Sequence, residues 1–194
     1  MKFQTMELMV LPICEGGDIC ADDLVAAIKY ANDMGADICN ISAVVVDSEN
    51  AIREAIHNSD MYFVVAAGNF QDQYITGLDL RENKRFPACC IDNRVITVGS
   101  TNEKNEFSVF SNYSPMYVDI AAPGEYIYST LPRNNYGYRD GTSVASPIVA
   151  GILGAYYYCY TDTIEEAAEK LLVDSKIIKE LSEKVHEGRL VEFK

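Results

Sequence analysis

The residues that could do chemistry gather in Asp140-Gly141-Thr142-Ser143-Val144-Ala145-Ser146-Pro147, where a glycine turn runs directly into a small and apolar stretch. That order puts Ser143 at a helix N-terminus. Unpaired backbone N–H groups and the positive end of the helix dipole lie close to a hydroxyl there, which suits stabilisation of a developing oxyanion and so acyl transfer. Pro147 is expected in the first helical turn, where a missing N–H costs nothing. Most serines ahead of helices merely cap them, and Ser143 taken alone reads the same way. A second group changes the balance. Ala66-Ala67-Gly68-Asn69 ends an apolar run at the carboxyl edge of a strand, where parallel sheets place their sites. The plainer alternative for Asn69 is a turn residue after glycine.

These groups need elements to hold them. Residues 6–13 read as a strand and 21–34 as a helix stopped by Gly35. A second strand is expected over 36–42, a helix over 47–58 capped by Asp47 or Ser48, and a third strand over 61–67. Apolar strands alternating with helices indicate a parallel sheet. Beyond Asn69, short strands are expected over 95–98, 107–110, 118–121 and 126–130, between Gly, Pro and Asn punctuation. The stretch 144–158 is small or apolar all round and predicts a helix buried through the middle of the protein. Thr163 and Glu166 form a capping box for a last helix ending near Val173.

Composition narrows the function classes. With 194 residues the chain is expected to form one domain, and 48% hydrophobic with 23% charged residues fits a packed fold. The formal charge of −13 argues against a nucleic-acid partner, which needs clustered Lys and Arg. The acidity is read as a solvated surface, since no spaced Asp loop of the EF-hand kind is present. The six cysteines include no C-x-x-C pair and are expected to be free thiols, with no metal site. Neither a signal peptide nor a transmembrane run is seen, so no membrane partner is expected and a cytoplasmic location is the default.

Gly141-Thr142-Ser143-Val144-Ala145-Ser146-Pro147, followed by Val149-Ala150-Gly151, resembles the serine signature of the subtilase family of serine peptidases. The resemblance continues through Ala66-Ala67-Gly68-Asn69, Phe86-Pro87-Ala88, Val95-Ile96-Thr97-Val98-Gly99, Phe110-Ser111-Asn112, Ala122-Pro123-Gly124 and Ser129-Thr130, covering nearly the whole chain. It implies an α/β fold, a subtilisin-like parallel sheet flanked by helices and truncated at the N-terminus, with residues 1–194 as a single partial peptidase domain. It also implies that Ser143 is the nucleophile and that the Asn69 amide completes an oxyanion hole with the Ser143 backbone N–H. Ser42-Ala43-Val44 and Ala66-Ala67-Gly68, together with Gly141 and Thr142, would line the cleft for a peptide or protein substrate that adds as an extended strand. No cofactor is expected, and calcium enters only as a family possibility.

The family's Asp and His motifs are absent from the sequence. His57 and His186 read as solvated side chains, and Asp37 is no better as the orienting acid. Val44 stands where the family usually has glycine, and its branched side chain would narrow the approach of a substrate backbone. The expected function is therefore a subtilisin-like serine endopeptidase domain that is inactive alone or takes Asp and His from a complementing segment, with self-association through open sheet edges as a further possibility. The alternative is a non-catalytic pseudopeptidase that binds protein or peptide.

Overall fold

The structure is a computed structural model that describes residues 6–15, 18–70, 72–73 and 76–192. In chain order its elements are β1 (Cys14–Glu15), β2 (Asp18–Ile19), α1 (Ala21–Asp33), β3 (Ile38–Ile41), α2 (Glu49–His57), β4 (Tyr62–Ala66), β5 (Val95–Thr101), β6 (Ile120–Pro123), β7 (Ile127–Leu131), β8 (Asn135–Arg139), α3 (Thr142–Cys159), α4 (Ile164–Val173), β9 (Lys176–Ile177) and β10 (Arg189–Leu190). The main sheet has the order β3-β4-β5-β6-β10-β9, parallel from β3 through β10 and antiparallel only at β9.

A parallel sheet is covered on both faces, so its strands read as apolar runs. Every residue of β4 and β5 is buried. Successive side chains point to opposite faces. Phe63 and Val65 meet Leu24, Ile28, Ile52 and Ile56 of α1 and α2. Val64, with Val98 and Ile120, meets Val149 and Leu153 of α3 and Leu171 of α4. Gly35 ends α1 at φ 75, a conformation that favours glycine. Thr163 caps α4 by accepting the Glu166 N–H at 3.2 Å, while Glu166 returns its bond to the Asp162 N–H at 3.1 Å.

Several expectations are corrected. Residues 6–13 form no strand; Leu11 and Ile13 pack on the α1 and α2 side of the core, but the backbone joins no ladder. The outer edge of β3 has no strand partner among the described residues, and an extended segment without a ladder is not a strand. Residues 107–110 likewise make only one bridge, Phe107 to Thr101. At α2, Ser48 occupies the cap position at φ 65 but its hydroxyl makes no capping bond. β8, β9 and β10 were not foreseen, because β8 is polar and the other two are two residues each. The helix α3 is not buried all round. Ala145, Val149, Leu153 and Tyr156 face the sheet and α4, whereas Pro147, Gly151 and Tyr158 are exposed.

Candidate active site

The site lies at the carboxyl ends of the parallel strands. Ser42 follows β3, Asn69 follows β4 and Gly124 follows β6. The turn ahead of α3 hangs on this edge, because the Gly141 N–H donates to the Gly124 carbonyl at 2.8 Å. Gly141 itself has φ 146, a backbone conformation open to glycine. Its missing side chain leaves the space on which the site converges. The point where a Cβ on Gly141 would stand is 2.9 Å from Ser143 Oγ, 3.4 Å from Asn69 Nδ2 and 3.6 Å from the Ser143 backbone N.

The Asn69 amide is held the right way round for this. Its Oδ1 accepts from the Thr142 N–H at 2.9 Å and from the Thr142 hydroxyl at 3.0 Å, so Nδ2 is the end left for the cleft. The Thr142 hydroxyl accepts in turn from the Gly68 N–H at 3.1 Å. Thr142 is fully buried, and its hydroxyl ties the two loops together rather than facing the cleft. Asn112 does the same from below. Its Nδ2 donates to the Ala67 carbonyl at 3.1 Å, its Oδ1 accepts the Leu78 N–H at 3.0 Å, and its own N–H donates to the Gly68 carbonyl at 3.0 Å. Phe110-Ser111-Asn112 is part of the resemblance in sequence, but the role of Asn112 rests on contacts between loops that the sequence does not show.

The remaining cleft residues fall beside this centre. Ala66, Ala67 and Gly68 are buried under the wall that follows β4, and Ala43 and Val44 are partly buried under the wall that follows β3. Val44 closes toward Gly68: a Cβ on Gly68 would stand 2.9 Å from Val44 Cγ2 and 2.8 Å from Asn112 Nδ2. The Val45 N–H and carbonyl each pair with Phe86 at 2.8 Å and brace that wall. Ser42 directs its hydroxyl to the Ser143 carbonyl at 2.9 Å. Pro147 is the sixth residue of α3, in its second turn, so its missing N–H does remove an intrahelical bond, contrary to the expectation from sequence.

His57, His186 and Asp37 lie elsewhere. Asp37 immediately precedes β3, and His57 ends α2 ahead of β4, its carbonyl accepting from Arg94 just before β5 at 2.9 Å. The His186 N–H donates to the Val118 carbonyl just before β6 at 2.7 Å. All three therefore sit toward the amino ends of the parallel strands, the end of the sheet opposite to Ser143. The His57 ring is 3.6 Å from Asp92. The cysteines are free, and burial pushes the Cys39 thiol up to about 11 and the Cys90 thiol up to about 12, which keeps both protonated. Among the described residues no group of three or more His, Cys, Asp or Glu is placed to hold a metal ion. No described helix is long and apolar enough to cross a membrane.

Residues 4–188 match the model of the subtilase family of peptidases, and the chain belongs to that family. It is 36% identical over 162 residues to the major intracellular serine protease of Bacillus subtilis (strain 168), a match covering 81% of this chain and 47% of that protein. It is 35% identical to thermitase of Thermoactinomyces vulgaris over 66% of this chain and 42% of that one. The fold is subtilisin-like. A solved cold-adapted subtilisin-like serine proteinase superposes with a TM-score of 0.77 at 25% identity, covering 92% of this chain and 63% of the other. A chain of the E. coli AB5 toxin, its A-subunit, superposes with a TM-score of 0.74 at 26% identity, covering 92% of this chain and 66% of its own length. The chain thus spans less than half the length of the two curated relatives named above.

Proposed function

We propose that this chain is the nucleophile-bearing part of a subtilisin-like serine endopeptidase, with Ser143 as nucleophile and with Asn69 Nδ2 and the Ser143 N–H as the oxyanion hole. The observation that carries the reading is the convergence of Ser143 Oγ, Asn69 Nδ2 and the Ser143 N on the empty side of Gly141. A substrate carbonyl in that space meets both donors, and they strengthen as its oxygen takes up negative charge. Ser143 Oγ attacks the carbonyl carbon, its proton passes to a base and then to the departing amine, and water hydrolyses the resulting ester. The substrate is a peptide or protein segment laid between the walls at 42–44 and 66–68.

The base is not His57 or His186, which lie at the other end of the sheet. In this reading a segment supplying Asp and His completes the site, and the β3 edge beside Ser42 is where it adds, since that edge lacks a strand partner among the described residues. The same placement of the histidines favours a second reading, a pseudopeptidase that binds protein or peptide without cleaving it. Turnover separates the two. The chain mixed with a segment carrying the subtilase Asp and His motifs is expected to hydrolyse peptide substrates and to lose this with Ser143→Ala. Binding of the segment and of peptide without any Ser143-dependent turnover would favour the pseudopeptidase.

A further inference from the structure

The helix that carries Ser143 is missing a bond at the residue where position matters most. In an α-helix the N–H of each residue donates to the carbonyl four positions earlier, so the donor due to the Ser143 carbonyl is that of residue 147. Pro147 has none. The Ser42 hydroxyl, 101 residues away in sequence, donates to that carbonyl at 2.9 Å.

The surrounding network fixes this direction. A serine hydroxyl has one proton to give and two lone pairs to receive. Asn40 Nδ2 can only donate, and it does so to Ser42 Oγ at 2.9 Å. The Ser143 carbonyl can only accept, so the Ser42 proton goes there. Ser146 Oγ, fully buried and 3.2 Å from Ser42 Oγ, is then the donor of the remaining bond. All the hydrogen-bonding capacity of the Ser42 hydroxyl is used, and none of it is left over for a substrate.

We propose that Ser42 is a positioning residue that stands in for the absent Pro147 N–H, fixing the Ser143 peptide and with it the aim of the Ser143 N–H and Oγ. The proline leaves the Ser143 carbonyl without its intrahelical donor, and Ser42 at the sheet edge supplies one. The register of the nucleophile is thereby set by β3 rather than by the helix. Its importance for catalysis rests on the function proposed above; the structural substitution does not.

The test is a double-mutant cycle in the full chain, using Ser42→Ala, Pro147→Ala and both together. The readouts are the carbon-13 resonance of the Ser143 carbonyl and stability in urea. Ser42→Ala is expected to move the resonance upfield and to lower stability. Pro147→Ala offers an N–H to the same carbonyl, so in that background the effect of Ser42→Ala is expected to fall by at least half. An unmoved resonance, or two substitutions whose effects simply add, would overturn the proposal. If Ser42→Ala alone fails to fold, the double variant is expected to fold, and a double variant equally unfolded overturns it too. In the complemented protein Ser42→Ala is expected to lower kcat about tenfold or more with KM little changed, with partial recovery in the double variant. An unchanged kcat would refute the positioning role while leaving Ser143-dependent turnover, the mark of the proposed function, intact.

Discussion

Thr142 gives its N–H and its hydroxyl to Asn69 Oδ1 and so decides which end of the Asn69 amide faces the cleft, while Asn112 braces the loop ahead of Asn69 through the Ala67 carbonyl. Replacing Asn69 by alanine removes the aimed Nδ2 donor together with the Oδ1 acceptor that holds Thr142. Asn69→Ala in the complemented protein is expected to lower kcat by about 10²–10³, the range found for deleting one oxyanion-hole donor in a subtilisin, with KM little affected. A kcat unchanged by Asn69→Ala, measured on a peptide anilide, would remove Asn69 from the oxyanion hole. Ser143 and Asn69 were legible in the sequence because each sits in a short motif whose geometry is local: glycine, then hydroxyl, then helix, and strand, then glycine, then amide. The Ser42 tie was not, because it depends on which strand edge meets the helix start. Nothing in Ser42-Ala43-Val44 alone says that its hydroxyl faces a carbonyl 101 positions on.

At the scale of elements, hydrophobic period placed β3, β4, α1, α2 and α4 to within a few residues, since each buries a defined face. It failed where burial is one-sided or where pairing makes the strand. The apolar composition of α3 points to burial all round, although Pro147, Gly151 and Tyr158 are exposed. The short β10 exists only because Leu190 pairs with Ala121 beside it. That outer part of the sheet carries a titrating group. Asp119, just ahead of β6, accepts the Thr97 N–H at 2.7 Å, and burial pushes its carboxyl from 3.8 up to about 6 against the lowering effects of that bond, His186 and Arg189. The folded state holds this proton more tightly than the unfolded chain does. Its contribution to stability is thus fully present below pH 3.8 and is lost as pH rises to about 6. Asp79, held below its usual value chiefly by the Arg81 hydrogen bond, works in the opposite sense at lower pH. Asp119→Asn keeps the acceptor for Thr97 and has no proton to lose. Urea denaturation across this range is expected to show wild-type stability falling relative to Asp119→Asn as pH rises, and parallel curves would contradict the assignment.

At the scale of the whole molecule, the parallel sheet gathers Ser42, Asn69 and the Ser143 turn at one end and leaves His57, His186 and Asp37 at the other. The β3 edge, which has no strand partner among the described residues, leads into Ser42. Unpaired strand edges recruit other strands, so the chain is expected to self-associate at micromolar concentration and to do so less once a complementing segment is bound. Sedimentation showing a strict monomer with or without the segment would count against a role for that edge.

The central claim, that Ser143 is a nucleophile waiting for a base, is tested most directly by where a serine-directed reagent attaches. Peptide mapping by mass spectrometry after treatment with a peptidyl phosphonate fluoride reads this in one experiment. A single adduct is expected, on Ser143, formed only when the Asp- and His-bearing segment is present and absent from Asn69-intact Ser143→Ala. An adduct on another serine, or no adduct while the complemented protein hydrolyses peptide, would contradict it.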